Sequence, residues 1–96
     1  MDLDEAVALA TRELREIERP DLPLRLDDPE KTWAERAWCY VFGFNSVAYL
    51  DHGQWDAMVP SGPIVVNKDG SGVWVLPSAL PRDEALDLYE REHGLG

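Results

Sequence analysis

Residues 33–44 constrain the fold more than any other part of the chain, because in an extended conformation they form two apolar faces. One face would carry Trp38, Tyr40, Phe42 and Phe44, and the other Ala37, Cys39, Val41 and Gly43. A strand that is apolar on both faces needs a covering layer on both faces. The stretch therefore predicts a central strand with other structure packed on each side of the sheet.

The N-terminal segment is predicted to be an amphipathic helix. Its apolar residues recur at spacings of three and four and so lie on one stripe: Leu3, Val7, Ala10, Leu14 and Ile17. Carboxylates in the first turn suit the positive end of the helix dipole. Because Pro20 restricts the residue before it, we expect the helix to end near Glu18 or Arg19.

Shorter strands are predicted on either side of the central one. Residues 22–26 alternate apolar and other residues, and Pro23 suggests an edge strand. A turn with side-chain capping is expected at residues 27–30, and a second turn at Asn45 and Ser46 leads into a strand at 47–50. Residues 64–66 and 73–76 flank a polar loop that contains Gly70, which is a hairpin pattern.

A last helix is predicted to open at Pro81 and to end at Gly94, with Asp83 and Glu84 in its first turn. Helices at the two ends of an antiparallel run predict an α+β fold. In this fold the N-terminal helix packs on a curved antiparallel sheet of four or five strands, and a short helix closes the chain. At 96 residues the chain is expected to form a single domain spanning 1–96.

Charge limits the classes of partner. Nineteen acidic residues against nine basic ones give a net charge of −10, which repels nucleic acid and anionic membranes and favours a partner with a basic surface. The N-terminus is acidic where a secretory signal is basic, and no apolar run approaches the length of a membrane span. We therefore expect a cytoplasmic protein that binds neither nucleic acid nor membrane.

Catalytic and metal-binding motifs are not evident. His52 and His93 are far apart in sequence and no paired-cysteine motif occurs, so neither a metal nor a cofactor is predicted. Cys39 could meet His52 if their strands paired, but a cysteine within an apolar strand is usually a core residue. The sequence therefore predicts a protein that is not an enzyme, with Cys39 in the core.

One polar stretch stands out as a candidate recognition surface, because polar loops beside an exposed aromatic often bind partners. The candidate partner-binding residues are Asp51, His52, Gln54, Trp55 and Asp56, with Trp74 as a possible neighbour. The alternative is an ordinary connecting loop.

Several local motifs together resemble the immunity protein 35 (YrhB-like) family of bacteria. They are residues 30–32, the aromatic run 38–42, Asn45-Ser46, Tyr49-Leu50, residues 62–70 and the closing residues 86–89. The chain departs from the usual pattern at residues 59–62, where relatives often have Gly-Asn. The motifs are structural, so the family supplies no functional residues to carry over.

The resemblance implies a cytoplasmic antidote to a cognate toxin encoded beside it, often a polymorphic toxin with a papain-like peptidase domain. Inhibition would then be steric occlusion of the toxin. Relatives are also described as chaperone-like, so a holdase that stabilises other proteins is the main alternative. An enzyme that uses Cys39 and a dimer formed through the edge strand at residues 22–26 are further alternatives.

Overall fold

The structure, a computed structural model, describes residues 1–28, 30–59, 62–77 and 79–95. Its helices are α1 (Leu3–Ile17), α2 (Val47–His52) and α3 (Arg82–His93), with a single 3-10 turn at Trp55–Ala57. Its strands are β1 (Leu24–Leu26), β2 (Ala34–Arg36), β3 (Cys39–Phe42), β4 (Phe44–Ser46), β5 (Ile64–Asn67) and β6 (Val73–Val75). The predicted α+β class is confirmed, including the long N-terminal helix and the short C-terminal one.

All strand pairs in the described residues are antiparallel. Four strands form a sheet in the order β2-β3-β5-β6, and β1 pairs with β4 in a separate two-stranded sheet. The register of the central pair places Val41 opposite Val65 and Phe42 opposite Ile64. The predicted hairpin is the β5–β6 pair, which places Val65 opposite Trp74.

The four-stranded sheet is covered on both faces, as the two apolar faces of the central stretch require. On one face, buried residues of α1 meet Phe42, Ile64 and Val66. On the other face, Cys39, Val41 and Val65 pack against Ala85 and Leu86 of α3. The alternation of β3 and β5 thus divides the apolar residues between two cores.

The prediction of one continuous strand over residues 33–44 is wrong. A turn at Ala37 and Trp38 separates β2 from β3, and Gly43 separates β3 from β4, which pairs with β1 instead. Because the turn interrupts the alternation, Trp38 packs in the core under α3 and not on the face of Tyr40 and Phe42.

The predicted turn at Asn45-Ser46 and strand at residues 47–50 are also wrong. Ser46 ends β4 and caps α2, because its hydroxyl accepts a hydrogen bond from the backbone N–H of Tyr49 at 3.0 Å. Gly53 ends the helix in the left-handed conformation at φ 66°. The cap therefore redirects the chain from strand to helix within one residue.

The helix ends agree closely with the expectations. α1 ends at Ile17, just before the predicted stop, and Gly94 caps α3 in the left-handed conformation at φ 66°. The strand predicted at residues 22–26 is shortened to β1. In the predicted turn at residues 27–30, Asp28 accepts a hydrogen bond from the Glu30 N–H, while Pro29 lies outside the described residues.

Candidate partner-binding site

The candidate recognition residues lie on a short excursion of the chain between β4 and residue 59, which we call the 47–58 segment. It consists of α2, Gly53, Gln54, the 3-10 turn and Met58. α2 packs on β4 and on the 3-10 turn, so the segment is attached to the two-stranded sheet. The polar stretch that was expected to be a loop begins in a helix, because Asp51 and His52 form the last residues of α2.

Two polar side chains of β4 hold both ends of this segment. The hydroxyl of Ser46, which is fully buried, donates to the carbonyl of Ala57 at 2.6 Å while capping α2. The side-chain oxygen of Asn45 accepts from the backbone N–H of Val59 at 2.8 Å. Since buried polar groups are costly to leave unpaired, these bonds fix the path of the segment.

The segment presents an aromatic side chain to solvent. Trp55 is 76% exposed, more than any other large apolar side chain in the described residues, and Met58 is 41% exposed. Asp51, His52, Gln54 and Asp56 are exposed beside them. The structure therefore brings five of the six candidate residues together on one short surface segment.

The electrostatic character of the segment is acidic. Residues 47–58 contain Asp51 and Asp56 but no lysine or arginine. Asp51 receives two hydrogen bonds from the Arg25 guanidinium, at 3.1 Å and 2.5 Å, which ties the end of α2 to β1. The carboxylate of Asp56 remains exposed next to Trp55.

Trp74, the sixth candidate, is placed against a different helix. Its ring stacks on Tyr89 of α3 with centroids 4.6 Å apart, and its indole N–H donates to the side-chain oxygen of Asn67 at 3.0 Å. It belongs to the core between the sheet and α3. Trp74 therefore packs against α3 and is not part of the surface formed by the 47–58 segment.

A second feature, which was not predicted from the sequence, is a groove at the end of α3. It has a volume of about 600 Å³ and is lined by the β2–β3 turn, the β5–β6 turn and the last residues of the chain, including Trp38, Asp69, Tyr89, His93 and Leu95. The aromatic residues were visible in the sequence. Their convergence depends on contacts between residues about fifty positions apart, which no local pattern reports.

A network of charged groups fixes the wall of this groove. Arg36 of β2 donates to Asp87 and Glu90 of α3, each at 2.8 Å, and the Trp38 indole N–H donates to Glu90 at 2.9 Å. The hydrogen bonds from Trp38 and Arg36 lower the pKa of Glu90, so this carboxylate stays ionised at neutral pH. α3 is therefore tied to the β2–β3 turn in one position.

Cys39 is not in a catalytic environment. Its side chain is fully buried in the core beside Val41 and Val65, and burial raises the pKa of its thiol to about 11. His52, the suspected partner, is exposed on α2 and not on a neighbouring strand. Within the described ranges, no three potential metal ligands of the His, Cys, Asp or Glu type cluster, and no helix is long and apolar enough to cross a bilayer.

In a comparison with known families, the chain matches the model described as immunity protein 35 over residues 4–89. The chain belongs to the immunity protein 35 family. The match covers α1 and most of α3 as well as the strands, so it extends the resemblance seen from residue 30 onwards to nearly the whole chain. No curated protein and no solved structure matches this chain.

Membership of the immunity protein 35 family implies a toxin as the partner. An immunity protein has to recognise its toxin through residues that remain accessible in the folded state. In this member of the family, the 47–58 segment and the groove at the end of α3 are two surfaces of the described residues where aromatic side chains lie beside charged ones.

Proposed function

We infer that this immunity protein is a cytoplasmic antidote that binds one cognate toxin and blocks it sterically, without chemistry of its own. The observation that carries the proposal is Trp55, an aromatic side chain that is 76% exposed on a segment held at both ends by part-buried hydrogen bonds. A large apolar side chain kept in water has no packing role to explain it. Tryptophan is also among the residues that dominate binding energy in protein interfaces.

The rigidity of the 47–58 segment supports this role. Binding costs free energy when loops and side chains become ordered, and a segment that is already ordered avoids much of that cost. Two hydrogen bonds supply this order before the partner arrives: the Ser46 hydroxyl donates to the Ala57 carbonyl, and the Asn45 side-chain oxygen accepts from the Val59 N–H. The backbone that carries Trp55 is then held in place, and its exposed side chain can enter a pocket on the toxin.

Charge supports a basic toxin surface around that pocket. The net charge is −10, and Asp56 stands exposed beside Trp55 with no lysine or arginine in residues 47–58. Complementary charge steers the encounter and raises the association rate. The same field opposes binding to nucleic acid and to anionic membranes, which we propose are not partners.

Steric occlusion is the mechanism that fits these surfaces. The thiol of Cys39 is buried and protonated at neutral pH, so it offers no nucleophile to a bound toxin. The antidote would act by covering the cleft of the toxin, for example that of a papain-like peptidase domain. Binding and inhibition should therefore have the same stoichiometry.

An affinity pull-down from the native lysate, followed by mass identification of the bound proteins, tests the partner. We expect one stoichiometric partner that carries a toxin domain. A broad set of weakly held clients would contradict the antidote and favour the chaperone-like alternative.

Substitution of Trp55 tests the surface. We expect Trp55→Ala to weaken toxin binding by about 30-fold or more, because truncating a central aromatic costs at least about 2 kcal/mol. The melting temperature should stay nearly unchanged because the side chain is exposed. Leu88→Ala, which truncates a 38% exposed side chain on α3, is the control and should bind normally. Equal affinity for Trp55→Ala and the wild type would place the toxin elsewhere.

A further inference from the structure

The groove at the end of α3 has an aromatic wall in which three rings are ordered by stacking. The centroid of the Tyr89 ring lies 4.9 Å from that of Trp38 and 3.9 Å from that of His93, with the planes inclined by only 19° and 21°. Trp38 is also held by its hydrogen bond to Glu90. The groove is therefore a preformed slot, about 600 Å³ in volume, and does not need to be opened by a ligand.

The charges that face the slot are negative. Asp69 lines it from the β5–β6 turn, and the N–H of Ser71 donates to one of its oxygens at 2.8 Å. The hydrogen bonds from Ser71 lower the pKa of Asp69, so the carboxylate is ionised at neutral pH. The C-terminal end of α3 closes the slot at His93 and adds the negative end of a helix dipole.

The one lysine in the wall does not cancel this charge. The ammonium of Lys68 lies 2.7 Å from a carboxylate oxygen of Glu35 and 4.6 Å from the centroid of the Tyr40 ring. Tyr40 packs with the core on the α1 face of the sheet, whereas Trp38 packs with the core under α3. The lysine charge is thus neutralised on the opposite face, and only the rest of the residue contributes to the slot.

We propose that this slot binds the guanidinium group of an arginine side chain on a partner polypeptide. A guanidinium is planar, packs against aromatic rings and pairs with a carboxylate through two parallel N–H groups, so its chemistry suits a groove that aromatic side chains and Asp69 line together. An ammonium ion would pair with the Asp69 carboxylate but would not pack flat against the aromatic rings. The proposal rests on the proposed function for the identity of the partner, which is the basic toxin, and it gives that toxin a second point of attachment.

The slot can be tested without any toxin. The probe is acetyl-Gly-Arg-Gly-amide, and its control is the same peptide with citrulline, which keeps the shape of arginine and removes the charge. Each is titrated into the ¹⁵N-labelled full-length protein, and the indole N–H resonances of the four tryptophans are followed by NMR. Trp38 and Trp74 pack around Tyr89 beside the slot, while Trp55 lies on the 47–58 segment and serves as an internal control.

The arginine peptide should shift the Trp38 resonance saturably, with a dissociation constant in the millimolar range, and should leave Trp55 unchanged. The citrulline peptide should give no saturable shift. Asp69→Asn should raise the dissociation constant about threefold, as expected for an exposed charge pair, whereas Asp56→Asn, which removes the same charge from the other surface, should have no effect. The proposal that the slot binds arginine would be overturned by equal binding of the two peptides, by an absence of saturation, or by equal effects of the two substitutions. Those results would not bear on the proposal that Trp55 binds the toxin, because that proposal is tested with the toxin itself.

Discussion

At the scale of single residues, two glycines lie where an added methyl group would collide with another part of the chain. A Cβ atom on Gly43 would overlap the ring of Trp33, which is 48% exposed and has room to move outward. A Cβ atom on Gly62 would overlap the backbone carbonyl oxygen of Leu76, which is fixed because the Leu76 N–H bonds to Pro63. The two sites should therefore respond differently to the same added methyl group.

We expect Gly43→Ala to lower the free energy of unfolding by about 1–2 kcal/mol and Gly62→Ala by about 3 kcal/mol or more, since only the first clash is relieved by a side-chain movement. Gly72→Ala is the matched control, because a Cβ atom there meets nothing within 4 Å and the substitution should be nearly neutral. Urea unfolding measures all three. A Gly62→Ala variant as stable as Gly72→Ala would contradict the close approach of residue 62 to the Leu76 carbonyl.

Cys39 gives a prediction about pH. Burial raises the pKa of its thiol in the folded protein to about 11, from an ordinary value of 9.0. Since the folded state holds the proton more tightly than the unfolded state, this contribution to stability is complete below pH 9 and is lost as the pH rises towards 11. Denaturant unfolding between these pH values should show a steeper loss of stability for the wild type than for Cys39→Ala. Parallel curves would mean that the thiol is not buried.

At the scale of elements, the 47–58 segment links the fold to the proposed function through Ser46. Removing its hydroxyl in Ser46→Ala uncaps α2 and leaves the carbonyl of Ala57 without this donor. We expect a loss of about 1–3 kcal/mol in the free energy of unfolding. Toxin affinity should also fall, although Ser46 is buried and touches no partner, because Trp55 would no longer be held in place.

Asp2→Ala is a control for this prediction, because it removes the N-cap of α1, where the Asp2 carboxylate accepts a hydrogen bond from the Glu5 N–H at 2.8 Å, and Asp2 lies in neither proposed binding surface. It should lower stability without reducing the contribution of Trp55 to toxin binding. The measurement is calorimetric titration of the toxin at a temperature where both variants are fully folded. If Ser46→Ala bound the toxin as tightly as the wild type, an ordered 47–58 segment would not be needed for toxin binding.

The elements also show what sequence patterns can and cannot predict. α1, α3 and the β5–β6 hairpin were predictable because their periodicity, caps and turn residues are local. Residues 47–50 suit a strand as well as a helix, and the helix is favoured by its caps, where the Ser46 hydroxyl accepts from the Tyr49 N–H and Gly53 ends the helix. The break at Gly43 depends on the ring of Trp33 and on pairing between β1 and β4, which are contacts between distant parts of the chain.

The candidate sites, too, were predictable only where local sequence determines them. The exposure of Trp55 was predictable from its polar surroundings, whereas the place of Trp74 under α3 was not. The slot joins residues of the β2–β3 turn, the β5–β6 turn and α3, so it exists only once the sheet register and the helix position are set. Whether Asp51, His52, Gln54, Trp55 and Asp56 contact a toxin stays a prediction.

At the scale of the whole molecule, the net charge of −10 should control how fast the toxin is captured. Long-range attraction raises association rates and is screened by salt, whereas dissociation depends on short-range contacts. We expect the association rate constant to fall on the order of tenfold between about 0.02 M and about 0.3 M salt. The dissociation rate should change little. Stopped-flow measurement of Trp fluorescence gives both rates, and an association rate that ignores salt would contradict a basic toxin surface.

The measurement that tests the central claim most directly is a titration of the activity of the cognate toxin with this protein, run beside Trp55→Ala at matched folded concentrations. The account predicts that activity falls linearly to zero at one equivalent of wild-type protein, and that Trp55→Ala needs a large excess to do the same. A toxin that remains active while stoichiometrically bound would contradict steric occlusion. Equal inhibition by the two proteins would contradict the role given to Trp55.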